Sequence, residues 1–181
     1  YNLQMNGKQE MGTIIFVNNR MCVECISFCT KMCHNVRKRT GRKEIDNMNK
    51  IYDKVQECYK QVKKMTEFKP QIALVLGSGL GDYAEKIKIE TVIDYHEIKG
   101  FPVSTVQGHK GRFVLGYVED IPVMIMEGRV HYYEGYSMSD VVLPIRLMKM
   151  MGAEILFLTN ASGGIHRGFE AGDFMMITDQ I

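Results

Sequence analysis

The sequence predicts an α/β fold. Three observations carry this: short, wholly apolar runs that end in glycine-rich turns, a long amphipathic stretch ahead of the first run, and a second helical stretch between later ones. The long stretch starts near Met48. Ile51, Val55, Cys58, Tyr59, Val62 and Met65 recur at three- and four-residue spacing, the period of a helix with one apolar face. Asp46 or Asn47 suits its N-cap, and Pro70 lies past its end. Ile72 to Leu76 then reads as a buried strand, followed at once by Gly77-Ser78-Gly79-Leu80-Gly81 and a helix from about Asp82. Phe113 to Val118 and Ile121 to Met126 flank Glu119-Asp120 as a hairpin. Ser137 with Asp140 forms a capping box ahead of a helix over Val141 to Met151. Pro144 kinks that helix or marks its true start, and Gly152 suits its C-terminal end. Ile155 to Leu158 is another buried strand, leading into Thr159-Asn160-Ala161-Ser162-Gly163-Gly164. Phe174 to Thr178 is the last strand.

At 181 residues the chain can bury one sizeable core. Its net charge of +2 is too small to argue for a nucleic acid or a membrane surface. No apolar run approaches a membrane span, and Ile14 to Val17 is too short for a signal-peptide core. Five cysteines, an odd number, suit a reducing cytoplasm better than a disulfide scaffold.

Residues 127–135 are the most informative for chemistry. On an extended backbone Arg129, His131 and Tyr133 share one face. Arg presents a planar fork to phosphate oxygens, and His adds a donor that can also move a proton. The two glycine loops bring bare amides close to an anion, with the Ser78 hydroxyl in the first and the Ala161 amide in the second. Gly108-His109-Lys110-Gly111-Arg112 adds a further imidazole and more positive charge. Two common phosphate motifs are excluded. The dinucleotide fingerprint needs glycine where Asp82 stands, and Gly-Lys-Ser/Thr occurs nowhere.

Four segments follow in order: Gly77 to Gly81; Phe101-Pro102-Val103-Ser104-Thr105-Val106 with Gly108-His109; Gly128-Arg129-Val130-His131-Tyr132-Tyr133-Glu134-Gly135-Tyr136; and Thr159 to Gly164. Together they resemble the trimeric class of purine nucleoside phosphorylases, over about residues 48–181. The resemblance implies a single domain with a central twisted, mixed β-sheet flanked by helices. It implies phosphate-dependent cleavage of purine ribonucleosides, inosine and guanosine, to the free base and ribose 1-phosphate. It places Ser78, His109, Arg129, His131 and the backbone of Ala161 on phosphate and Tyr133 on the ribose. His109, Arg129 and His131 are the expected catalytic groups, with either histidine adjusting the protonation of phosphate. No metal or organic cofactor is expected, since inorganic phosphate is a co-substrate. A cytoplasmic homotrimer is implied, with no nucleic-acid or membrane partner. The family recognises the base with a Glu and an Asn that would lie beyond Ile181, so the chain is expected to lack the base half of the site and to turn over little. A non-catalytic phosphate- or nucleoside-binding remnant is the alternative from another class. A methylthioadenosine-type phosphorylase ranks below, because its early loop differs from Gly-Ser-Gly-Leu-Gly.

Residues 1–47 do not share the resemblance and show no sustained period. They carry eight Lys or Arg against four Asp or Glu, and four of the five cysteines. They are expected to form a leader outside the fold, with Met48 a natural start. Cys22, Cys25, Cys29, Cys33 and His34 are spaced too tightly for a two-knuckle zinc site, so no metal is assigned. The basic run 37–43 reads as a solvated linker.

Overall fold

The computed structural model describes residues 12–18, 42–77, 79–105, 110–163, 167–170 and 172–177, with 12–18, 42–49 and 162 as backbone only. Seven strands form one mixed sheet in the order β3-β4-β5-β2-β6-β1-β7. In chain order they are β1 (Gly12–Asn18), β2 (Ile72–Val75), β3 (Lys88–Asp94), β4 (Arg112–Val118), β5 (Ile121–Glu127), β6 (Ile155–Ser162) and β7 (Phe174–Met176). The helices are α1 (Arg42–Met65), α2 (Met138–Val141) and α3 (Leu143–Met150), with short 3-10 turns at Gly81–Glu85, Tyr95–Glu97 and Tyr132–Glu134. The expected α/β class and mixed, helix-flanked sheet are both present.

Strand period two sorts the central residues onto two faces. Ala73, Val75, Phe113, Leu115, Met124 and Met126 point to one core with Val55, Cys58 and Val62 of α1 and Leu143, Leu147 and Met148 of α3. Val114, Val123 and Ile125 point to the other, which is closed by Leu76 and by Ala84 of the first 3-10 turn. Thus α1 and α3 cover one face, while a single short turn covers part of the other. That turn stands where a helix from Asp82 was expected.

The sheet centre sets up the site. β2 pairs in parallel with β5 on one side and with β6 on the other. All three therefore deliver their C-terminal ends to the same edge. The chain leaves β2 toward β3, β4 and β5, then crosses to β6 on the opposite side, which makes β2 a topological switch point. Ligands of open α/β sheets bind outside the strand ends at such a point.

Several expectations are corrected. Residues 1–47 do not all lie outside the fold, because Gly12–Asn18 inserts between β6 and β7, antiparallel to the first and parallel to the second. The apolar run Ile14 to Val17 is too short to mark a strand by pattern alone, and its place is set by pairing with β6 and β7. This partner also prolongs β6 through Ser162, where a glycine loop was expected after Leu158. α1 begins at Arg42, so Asp46 and Asn47 lie within it rather than capping it. β3 was not anticipated: Lys88, Glu90 and Asp94 interrupt its apolar residues, only Ile93 is buried, and a register shift falls between Ile89 and Thr91. Pro144 marks the true start of α3, after Ser137 caps the one-turn α2. The hairpin at Glu119-Asp120 forms as expected, with Glu119 in the left-handed region at φ 55°. The last strand is described over Phe174–Met176, with Thr178 outside the described residues. The cysteine cluster, His34 and the basic run to Arg39 also lie outside them. Among the described residues no helix is long and apolar enough to cross a membrane, and no group of His, Cys, Asp or Glu is placed to hold a metal.

Candidate functional site

The ends of β2 and β6 are joined by one side chain. The buried Thr159 hydroxyl donates to the Val75 carbonyl at 2.9 Å and accepts from the Gly77 amide at 2.9 Å. It satisfies two backbone groups where the first glycine loop departs from the sheet. The same contact explains why position 77 is glycine. A Cβ there would fall 2.6 Å from both Asn160 Cα and the Thr159 carbonyl oxygen.

Next to this junction β5 ends and Arg129 follows. Its Nη1 donates to the Thr159 carbonyl at 3.1 Å, and its Nε donates to His131 Nε2 at 3.0 Å. An arginine nitrogen always carries its hydrogen, so Nε2 must be the bare, accepting nitrogen of the imidazole. The proton then sits on Nδ1, which lies 2.9 Å from Glu134 Oε1 and donates to it. Glu134 Oε1 also accepts from the His131 amide at 2.7 Å, as the third residue of a 3-10 turn reaching back to its N-cap.

The other oxygen of Glu134 reaches across to the segment before residue 106. Oε2 accepts from the Thr105 amide at 2.6 Å, the Thr105 hydroxyl at 3.0 Å and the Ser104 hydroxyl at 3.1 Å. The Tyr136 hydroxyl fastens the same segment, donating to the Val103 carbonyl at 2.7 Å and accepting from its amide at 3.1 Å. Two sequence segments thirty residues apart are thereby held side by side. Burial would push the Glu134 carboxyl up. The hydrogen bonds from the Thr105 amide, the His131 ring and amide and the Thr105 hydroxyl outweigh it and hold the carboxyl down at about 2. Glu134 is therefore a fixed anion that orients the imidazole.

The expected single face of Arg129, His131 and Tyr133 is built differently. His131 is extended at φ −124° and ψ 154°, but Tyr132–Glu134 is a 3-10 turn, so strand alternation stops there. Tyr133 instead stacks on His131, with ring centroids 4.7 Å apart and planes at 17°. It is 75 % exposed, so its phenol is open to solvent. Ala161 lies within β6, opposite Thr13 of β1. Ser78 and His109 lie outside the described residues. Sequence reasoning missed Glu134 and Thr159 as organisers. The signal for Glu134 was its place three residues after His131; nothing local marked Thr159, whose hydroxyl has its partners more than eighty residues away.

Residues 71–181 match the phosphorylase superfamily. The chain belongs to that superfamily. It is 47% identical over 129 residues to purine nucleoside phosphorylase 1 of Bacillus subtilis, covering 71% of this chain and 48% of that protein. It is 45% identical over 130 residues to purine nucleoside phosphorylase of Mus musculus, covering 72% and 45%. Among solved structures, isoform 2 of the Schistosoma mansoni purine nucleoside phosphorylase, crystallised with cytosine and ribose-1-phosphate, superposes with a TM-score of 0.62. It is 42% identical, over 67% of this chain and 43% of that one. The chain thus spans just under half the length of these relatives. The matched region holds every described element from β2 through β7.

Proposed function

We propose that this chain carries the phosphate-holding part of a purine nucleoside phosphorylase site, which cleaves inosine- or guanosine-type nucleosides to the free base and ribose 1-phosphate. The observation that carries the reading is the Arg129–His131–Glu134 relay at the switch point of the sheet. Phosphate is a weak nucleophile, so the sugar must first develop oxocarbenium character, as in glycoside cleavage. A dianion fixed beneath the ring stabilises that charge and stands in line for attack. Arg129 supplies the positive charge that draws it to the site. Arg129 Nε and Glu134 fix the His131 ring in place, and His109 or His131 adjusts the protonation of phosphate. Tyr133, stacked on His131 and open outward, is suited to contact the ribose. Ser78, His109 and the backbone of Ala161 complete the phosphate set by family resemblance. The reaction needs no cofactor beyond inorganic phosphate as co-substrate. A cytoplasmic homotrimer is the assembly that the same resemblance supports.

The test is calorimetric titration with inorganic phosphate, paired with chromatography of inosine and phosphate incubated with the chain. Saturable phosphate binding that Arg129→Ala abolishes is expected. Binding without release of hypoxanthine would make the chain a phosphate-binding module. No saturable binding by the unaltered chain would overturn the reading.

A further inference from the structure

Glu127, the last residue of β5, is only 3 % exposed, and no step of the proposed chemistry uses it. Burying a carboxylate is costly unless its charge is paired. Here it is paired twice. Arg112, its direct cross-strand neighbour, donates through Nε to Oε2 at 2.7 Å. Lys110 Nζ stands 3.1 Å from Oε1. Lys110 also bonds to Glu85, and Arg112 Nη2 lies 3.9 Å from the same Glu85 oxygen. Two anions and two cations thus alternate around one point.

The placement of these four residues matters more than their charge. Glu85 closes the 3-10 turn that follows the first glycine loop. Gly81 opens that turn so near the hub that a Cβ on it would lie 3.6 Å from Glu127 Oε1. Lys110 and Arg112 lead into β4, directly after His109 in sequence. Glu127 precedes Arg129 by two residues. A buried carboxylate needs its donors at hydrogen-bond distance, so the segments that supply them are held where those contacts form. Three segments that lead to expected phosphate ligands converge on a single carboxylate.

We propose that Glu127 is a positioning residue for anion binding: through Lys110, Arg112 and Glu85 it locks the turn after the first glycine loop and the start of β4 to the end of β5, and so fixes where Arg129 meets phosphate. This rests on the phosphate-binding reading above. It also makes a prediction opposite in sign to simple electrostatics. Removing a negative charge beside an anion site should tighten phosphate by field alone. Loss of positioning should weaken it.

The experiment is the phosphate titration repeated on Glu127→Gln, Glu127→Asp and Glu85→Gln, each first shown to be folded at the titration temperature by circular dichroism. Glu127→Gln and Glu127→Asp are expected to weaken phosphate about tenfold, and Glu85→Gln about threefold, since misplacement by a fraction of an ångström is felt strongly in preorganised sites. Glu127→Asp keeps the charge and shortens only the reach, so its loss would come from geometry. Glu85 is largely exposed, and its variant decides the matter if the Glu127 variants fail to fold. Phosphate binding unchanged or tightened in the folded variants would overturn the assignment while leaving the phosphorylase reading intact. Absence of binding in the unaltered chain would overturn the phosphorylase reading, and this assignment with it.

Discussion

Replacing Glu134 with glutamine tests whether one carboxylate organises the site. Glu134 accepts five hydrogen bonds, two on Oε1 and three on Oε2, and its side chain is 2 % exposed. Glutamine keeps one accepting oxygen. Its cheapest arrangement leaves that oxygen toward His131 and turns the amide NH2 toward Thr105. The Ser104 and Thr105 hydroxyls can rotate to accept from it, but the Thr105 amide cannot and loses its partner. One orphaned donor, together with loss of the charge that strengthens the His131 bonds, costs about 2 kcal/mol. For a chain of this size that lowers Tm by roughly 4–8 °C at pH 7. The pH dependence supplies a second arm. The folded carboxyl is held at about 2 against an ordinary 4.5. A depressed folded value means stabilisation that is complete above pH 4.5 and is lost as pH falls toward 2. Glutamine cannot titrate, so the gap between the two proteins should narrow steadily below pH 4.5. Urea unfolding from pH 7 to pH 3 measures it. A gap under about 0.5 kcal/mol at pH 7, or one that stays constant through the acid range, would show that the carboxylate is not held as described.

Three further outcomes follow from the strand junction and the core. Gly77→Ala puts a Cβ into the backbone of Thr159 and Asn160, which cannot give way as a flexible side chain could, and should leave little folded protein in a solubility and circular-dichroism assay. Thr159→Val keeps the shape but orphans the Gly77 amide and the Val75 carbonyl, costing about 1–3 kcal/mol by urea unfolding, while Thr159→Ser should restore most of it. Leu147→Ala empties a fully buried position between α3 and the sheet and should cost about 2–5 kcal/mol in the same assay.

What the sequence disclosed follows the range of the forces involved. α1 announces itself by a period near 3.6 because it buries one face, while β2 and the β4–β5 hairpin announce themselves as continuous apolar runs because the sheet centre is packed on both faces. β3 did not, since an edge strand with one buried residue carries almost no apolar pattern. β1 did not either: its pairing with β6 is a contact of residues 12–18 with residues 156–162, and the four-residue apolar run Ile14 to Val17 fixes neither partner nor direction. The class of fold was therefore legible, while β3 at one edge and β1 between β6 and β7 were not.

The site divides along the same line. Arg129 and His131 were legible because their side-chain types suit an anion and they stand two residues apart. The groups that aim them were not. Glu134 reaches back to His131 over one turn, and much further back to Thr105 over twenty-nine residues. Only the second reach makes it a hub rather than a helix cap. A carboxylate that bonded His131 alone could swing with the loop and leave the imidazole free to change tautomer. Tied to Thr105 and Ser104 as well, it holds Nδ1 as the donor and leaves Nε2 to accept from Arg129. The proton-accepting nitrogen is thus set by a contact invisible in the local sequence, and Glu134→Gln, which loosens that contact while leaving Arg129 and His131 untouched, should weaken phosphate binding without removing a single phosphate ligand.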